Sequence, residues 1–203
     1  AMATYDGGTL VLQGGALVLV RARARLFANG CHDPVGTFVR NDLPGIFTAR
    51  AFSRALVRGV VLGERVAIVG PHPWGEALHD ALTALGVDAT RSTGELVEAE
   101  GRSHVTAVTV REGDVTRTID CDALVSAELP TAAYELAGQA GAALGWEAAR
   151  GCFVPRADDD GATAQAGVYV AGTVRAPWAT EGERAADGER VAARVLRDLE
   201  AGR

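Results

Sequence analysis

The run Gly70-Pro71-His72-Pro73-Trp74-Gly75 lies between a compact apolar stretch, Arg65 to Val69, and a helical pattern, Glu76 to Leu85. A tight glycine turn leading into a helix N-terminus is a ready cradle for a pyrophosphate, because backbone amides and the helix dipole point at the anion. In the dinucleotide fingerprint G-x-G-x-x-G the middle glycine lets the pyrophosphate approach the backbone, and here that position is His72. An imidazole and a β-carbon stand where the phosphate would pass. The acidic residue that would take a ribose hydroxyl at the end of the second strand is replaced by Thr90, Arg91 and Ser92, of which Arg91 suits an NADP 2′-phosphate. Two departures from one fingerprint predict a Rossmann-like unit that no longer takes a dinucleotide. If NAD or NADP does bind, Gly70, Pro71, His72, Trp74, Gly75 and Arg91 are the residues to hold it.

Other chemistries are poorly served. All 20 basic residues are arginine, so a phosphate-binding or Schiff-base lysine is excluded by composition. Cys31, Cys121 and Cys152 are far apart and lack the C-x-x-C spacing of a redox dithiol or a zinc knuckle. The histidines at 32, 72, 79 and 104 make no metal-binding pair, and His32-Asp33 and His79-Asp80 are sequence neighbours whose side chains diverge. Asp158-Asp159-Asp160-Gly161 starts like a calcium loop, but its twelfth position is Tyr169, so a solvated acidic loop is expected. No catalytic residue and no metal ligand is assigned. A net charge of -6 and a pI near 5.2 argue against nucleic-acid or anionic-membrane binding. The longest strongly apolar run, Ala16 to Val20, is far short of a bilayer span, which with unpaired cysteines predicts a cytoplasmic protein. Ala1-Met2 reads as a tag residue before a natural start, hence a short native chain.

The elements that must position these residues follow from periodicity. Thr9–Leu12, Ala16–Val20 and Arg23–Ala28 read as short strands parted by Gly7-Gly8 and Gly14-Gly15, with Arg21, Arg23 and Arg25 on one solvated strand face. Thr48 can cap a helix to about Arg58. The apolar stretch from Arg65, the helix after the loop and a strand over Val87–Thr90 make a βαβ unit with two parallel strands. Glu95 to Asp120 reads as a three-stranded antiparallel insertion, Asp122–Ser126 as a strand returning to the parallel sheet, and Thr131–Ala143 as helical. Val168–Ala171 is a further core strand, and Glu183–Glu200 a closing amphipathic helix with Arg194 and Asp198 paired at i, i+4. The fold class is α/β, a Rossmann-like parallel sheet with an antiparallel β-meander insertion.

Taken in order, Leu26-Phe27-Ala28-Asn29-Gly30-Cys31-His32-Asp33, then Asn41-Asp42-Leu43-Pro44-Gly45-Ile46-Phe47-Thr48-Ala49, the degenerate fingerprint and Gly167-Val168-Tyr169-Val170-Ala171-Gly172 resemble the FAD/NAD(P)-dependent pyridine nucleotide-disulfide oxidoreductase superfamily. The NDLPG stretch is most similar to the flavoprotein alpha subunits of sarcosine oxidase, opine oxidase and hydrogen cyanide synthase. The resemblance implies an FAD-binding-like domain, 1–47 with 121–203, interrupted by an NAD(P)-binding-like domain, 48–120. It implies FAD near Gly30, Gly172 and Thr173, with Trp178 in a flavin-facing loop. No strand with G-x-G-x-x-G precedes Thr9, Asn29 stands in place of a threonine, and Thr173 in place of an aspartate. An N-terminally truncated flavoprotein subunit is thus expected. It would either need a partner, a second copy or a flavoprotein subunit, for electron or hydride transfer, or serve as a non-catalytic binding or scaffold subunit.

Overall fold

The computed structural model describes residues 1–5, 7–148, 151–177 and 179–202. The chain folds as two compact units: Asp33–Leu129, and a discontinuous one made of Ala1–His32 with Pro130–Arg203.

The discontinuous unit begins with β1 (Ala3–Tyr5), β2 (Gly8–Gln13) and β3 (Ala16–Val20), an antiparallel meander in that order. Gly14 and Gly15, at φ +57° and +81°, form the two-residue turn between β2 and β3, a conformation that suits glycine at both positions. Arg21 to Ala24 leave the sheet, so the expected arginine-faced strand is absent; only Arg25 belongs to the next strand, β4 (Arg25–Phe27). Its backbone is pulled instead into a parallel pairing with a strand far along the sequence. A short β5 (Cys31–His32) ends this segment.

The Asp33–Leu129 unit is the Rossmann-like part. Its elements are β6 (Ile46–Thr48), α1 (Ala49–Val57), β7 (Arg65–Val69), α2 (Pro73–Ala84), β8 (Asp88–Ser92), β9 (Glu95–Gly101), β10 (Val105–Glu112), β11 (Val115–Asp120) and β12 (Ala123–Ser126). Four strands form a parallel sheet in the order β6-β12-β7-β8, while β9, β10 and β11 form the antiparallel insertion. β6 and β12 thus hydrogen-bond into the same sheet as β7, and the unit's bounds fall at 32/33 and 129/130. The central strands β7 and β12 are apolar on both faces, as burial on both sides requires, whereas the edge strand β8 carries Asp88, Thr90, Arg91 and Ser92. Val66, Ile68, Ala123 and Val125 meet Phe52, Leu78 and Leu82 of the helices; Ala67, Val69 and Leu124 meet the insertion through Val105, Val108 and Val110. Thr48 caps α1 by accepting from the Ala51 amide, as its side-chain type predicts.

The discontinuous unit resumes with β13 (Thr131–Ala132), α3 (Glu135–Gln139), β14 (Leu144–Glu147), β15 (Cys152–Pro155), β16 (Val168–Val170) and α4 (Glu181–Glu200). The Thr131–Ala143 stretch is therefore helical only over its middle: β13 pairs with β5, and Gly141, at φ +95°, turns the chain into a β14–β15 pairing. β16 lies parallel to β4, and Phe27, Val168 and Val170 pack with Ala137, Ala140 and Val174. α4 starts two residues earlier than its apolar pattern suggested, on a capping box in which Thr180 and Glu183 bond each other's backbone amides.

Candidate functional site

The switch point of the parallel sheet lies between β7 and β12, since the chain leaves β7 towards β8 on one side and returns to β12 on the other. Ligands of open α/β sheets bind outside the carboxyl ends of such strands. The loop there is closed. Gly70, at φ +134°, takes a conformation open to glycine alone, and an added β-carbon would strike the Ala127 carbonyl. Its amide donates to Ser92 O at 3.0 Å, and that of His72 to Ala127 O at 2.9 Å. Pro71 and Pro73 have no N–H. His72 is the N-cap of α2: its Nδ1 accepts from the Trp74 amide at 3.0 Å and its carbonyl from Gly75 N at 2.9 Å. Every backbone N–H between residues 70 and 75 is therefore engaged within the protein, and no main-chain donor of the turn is left for a pyrophosphate.

An accepting Nδ1 fixes His72 as a neutral ring with its proton on Nε2. Partial burial lowers its pKa below the usual histidine value; Asp33 opposes this and Arg50 adds to it. Gly75 does what the third fingerprint glycine does, since an added β-carbon would lie 3.0 Å from Ala127 Cβ and 3.4 Å from Ile68 Cγ2. The fingerprint keeps its two packing glycines while its ligand position has become a helix cap.

Around this turn, Arg50 pairs with Asp33 at 2.8 Å and its guanidinium stands 5.2 Å from the Trp74 ring, whose edge meets His72. Beside them, a groove of about 650 Å³ between α1 and α2 is lined by Arg50, Leu56, Val57, Trp74, Leu78 and Ala81. Arg91, on β8 beside Ile68, brings its Nε near the α2 start; that buried nitrogen has no hydrogen-bond partner among the described residues. Glu128, just past β12, has its pKa raised by burial and then by Glu95. Arg50 and Glu128 escape sequence reasoning because they belong to no motif, though Arg50 had a placeable position in the first turn of the helix that Thr48 announces; Asp33 was read only as a neighbour of His32 and not as a partner of Arg50. The Cys121 thiol is pushed up to about 11, chiefly by burial, so it is not a thiolate nucleophile near neutrality.

The predicted flavin residues come together in the discontinuous unit, at the carboxyl ends of the parallel pair β4 and β16. Gly30, at φ +91°, lies opposite Thr173, whose Oγ1 would be 3.8 Å from a β-carbon added there. Gly172, at φ +70°, faces open space, and its amide donates to Asp187 Oδ2 at 2.8 Å. Asp187 is held by Arg175 at 2.6 Å and Arg190 at 2.7 Å, so it does not stand in for the carboxylate lacking at Thr173. Asn29 likewise spends its amide on Ala133 O. Trp178 lies outside the described residues. The acidic run is not freely solvated: Arg175 donates to the carbonyls of Asp158 and Asp159, Arg194 pairs with Asp158 and Asp160, and Arg197 pairs with Asp160. Asp198 is buried, receives the Tyr169 hydroxyl at 2.8 Å and pairs with Arg194 at 2.7 Å, so this i, i+4 pair faces inward. Among the described residues no group of three or more His, Cys, Asp or Glu could hold a metal, and no helix is long and apolar enough to cross a membrane.

No protein-family model and no curated protein matches the chain. Solved structures do. L-proline dehydrogenase from P. horikoshii is similar with a TM-score of 0.77 at 24% identity, covering 98% of this chain and 40% of that one. The chain has the fold of FAD- and NAD(P)-linked oxidoreductases. An FAD-dependent pyridine nucleotide-disulphide oxidoreductase from Desulfovibrio vulgaris is similar at TM-score 0.65 and 16% identity, over 97% of this chain and 60% of that one. Thioredoxin reductase from T. acidophilum is similar at 0.68 and 16%, over 97% and 72%. The chain thus spans 40% and 60% of the first two proteins' lengths. These likenesses speak to the fold.

Proposed function

We propose that this chain is a flavoprotein-type oxidoreductase subunit whose Rossmann-like unit is closed to NAD and NADP, and which works in electron or hydride transfer only with a partner polypeptide. The observation that carries the reading is the engagement of every amide from Gly70 to Gly75, with the His72 ring over the α2 N-terminus. A dinucleotide does not fit this turn. For FAD the fit is that of a half-site. Gly30 and Gly172 leave backbone exposed at two strand ends, and Thr173 offers a hydroxyl there. The pyrophosphate would be held by a fingerprint segment outside residues 1–203. Bound flavin would supply the redox chemistry; the residues of this chain would only position it. Within the fold, Asn41 to Ala49 supports kinship with the alpha subunits of sarcosine oxidase, opine oxidase and hydrogen cyanide synthase.

Incubation with FAD followed by gel filtration and a visible spectrum tests the flavin half. The protein alone should elute colourless, and a retained flavin band would overturn the need for a partner. Titration with NADH and NADPH, followed by the fluorescence of Trp74 in a Trp146→Phe, Trp178→Phe background, tests the closed turn. No saturable change is expected up to millimolar ligand.

A second reading, NADP recognition, is favoured by the unpartnered Arg91 Nε. It requires a thermal upshift with NADP but not NAD that disappears in Arg91→Ala, since only a ligand that binds the native state raises stability.

A further inference from the structure

The N-terminal meander carries a run of exposed apolar residues. All five residues of β3 are exposed, with Leu17 at 62% and Leu19 at 48%, and across the ladder Leu12 is exposed at 57%. The opposite face of the meander is covered at β1, where Thr4 is buried and its amide donates to Gln139 of α3, while Val18 and Val20 on that face are 38% and 44% exposed. The cross-strand pairs Leu10–Leu19 and Leu12–Leu17 instead make an open leucine face.

β3 is also an edge strand. Gln13 and Ala16 close the two-residue turn as a hydrogen-bonded pair, and the alternation of an antiparallel ladder then directs Val18 and Val20 towards β2. The N–H and C=O groups of Leu17 and Leu19 point the other way, and among the described residues nothing accepts or donates to them. Five apolar residues on an unprotected edge are a template for strand addition. Short edges are usually guarded by charge, proline or a bulge, and residues 16–20 contain no charged residue and no proline.

We infer that β3 is a homodimerisation strand, pairing antiparallel with β3 of a second copy about a two-fold axis at Val18. The sequence favours a second copy because Leu17-Val18-Leu19 reads the same in both directions. This register sets each Leu17 against Leu19 of the second copy as a hydrogen-bonded pair, using the outward groups, and leaves Val18 against Val18 as a non-hydrogen-bonded pair. Face parity is kept, so Leu10 and Leu19 of one copy continue into Leu17 and Leu12 of the second as one row of leucines. Arg21 falls across from Gly15 and Arg23 across from Gln13, so no arginine opposes another. Sliding the pairing by two residues towards the arginines would set Leu17 against Arg21, so charge and shape choose the same register. An edge pairing of this length buries less than the roughly 1,200 Å² of a standard stable interface, so the dimer forms in a concentration-dependent way. The inference deepens the partner expectation above and rests on it only for association; a monomer would leave the closed turn at His72 untouched.

The test combines sedimentation over a range of protein concentrations with disulfide trapping. Val18→Cys should cross-link under mild oxidation, because the α-carbons of a non-hydrogen-bonded pair lie about 4.5 Å apart, within disulfide reach. Leu17→Cys, whose own copy is offset by two positions, should not cross-link. Leu19→Pro removes an outward N–H without touching the β2 ladder and should raise the dimer dissociation constant at least tenfold with an unchanged circular dichroism spectrum. If that variant fails to fold, Leu17→Lys with Leu19→Lys should give the same loss. A wild-type protein monomeric at every concentration, trapping at position 17 but not 18, or a dimer indifferent to these variants would overturn the proposal.

Discussion

Replacing His72 by alanine isolates the cap that occupies the ligand position of the fingerprint. The variant loses the acceptor for the Trp74 amide and the edge contact with the indole, but keeps Pro73 at the first helical position. Loss of an N-cap side chain costs about 0.5–2 kcal/mol, typically about 1. The Trp74 side is 43% exposed, so water can replace part of the lost bond and the expected loss is about 1 kcal/mol. For a chain of this size that lowers Tm by roughly 2–4 °C. The pH dependence gives a sharper test. Only neutral His72 can accept at Nδ1, and its folded pKa is below the unfolded value near 6.5. The unfolded chain therefore binds the proton more readily. The cap's contribution is fully present above pH 6.5 and is lost as pH falls through the lower folded pKa. His72→Asn, which caps without titrating, should match wild type at pH 7.5 and lack this component of the acid-side loss. Urea unfolding of wild type, His72→Ala and His72→Asn between pH 8 and 5 measures both effects. An alanine variant as stable as wild type at pH 7.5, or identical pH profiles for wild type and His72→Asn, would refute the assignment.

Three further outcomes follow from the packing. Tyr169→Phe removes a 2.8 Å bond from a buried hydroxyl to the Asp198 carboxylate, and should cost about 1.5–3 kcal/mol in urea unfolding. Gly75→Val places bulk against Ala127 and Ile68, and should destabilise by about 1–3 kcal/mol through overpacking, with a smaller effect for Gly75→Ala. Cys121, buried with its pKa near 11, should resist iodoacetamide at pH 8 in the native protein and react on unfolding, as peptide mass spectrometry would show.

The parallel core was legible because its signals are local. Val66 to Val69 is an apolar run of strand length, Ala123 to Val125 fills most of another strand, and Leu78 and Leu82 mark the buried stripe of a helix. The insertion was legible too, since β9, β10 and β11 alternate between glycine turns. Arg21 to Arg25 misled because period-two alternation is a property of the sequence, whereas a strand needs a neighbour, and the neighbour of β4 is β16. Glu135 to Gln139 shows the reverse case: Thr131 and Ala132 were claimed by β13, where tertiary pairing outweighs propensity, and Gly141 turned the chain before Ala142 and Ala143 could extend the helix. At the candidate site the backbone reasons for Gly70 and Gly75 were readable, but the identity of His72 as an acceptor depended on its rotamer and on Pro73 removing a competing donor. The arginine clamp on Asp158 to Asp160 was unreadable, because Arg175, Arg194 and Arg197 reach that loop only once α4 has docked.

The split of one unit around the other also dictates an order of events at the ribosome. Residues 1–32 emerge first, yet β4 cannot find its neighbour until Val168 has been made, while Asp33–Leu129 already holds all the strands of its own sheet. The inserted unit is therefore able to fold during synthesis, while β4 and β5 of the earlier segment must wait for β16 and β13. Nascent chains stalled before and after β16 would differ in the protease resistance of residues 1–32 far more than in that of residues 33–129. Expression yield of this protein should accordingly respond to the pace of translation between α3 and β16, a dependence that a unit encoded in one continuous stretch does not have.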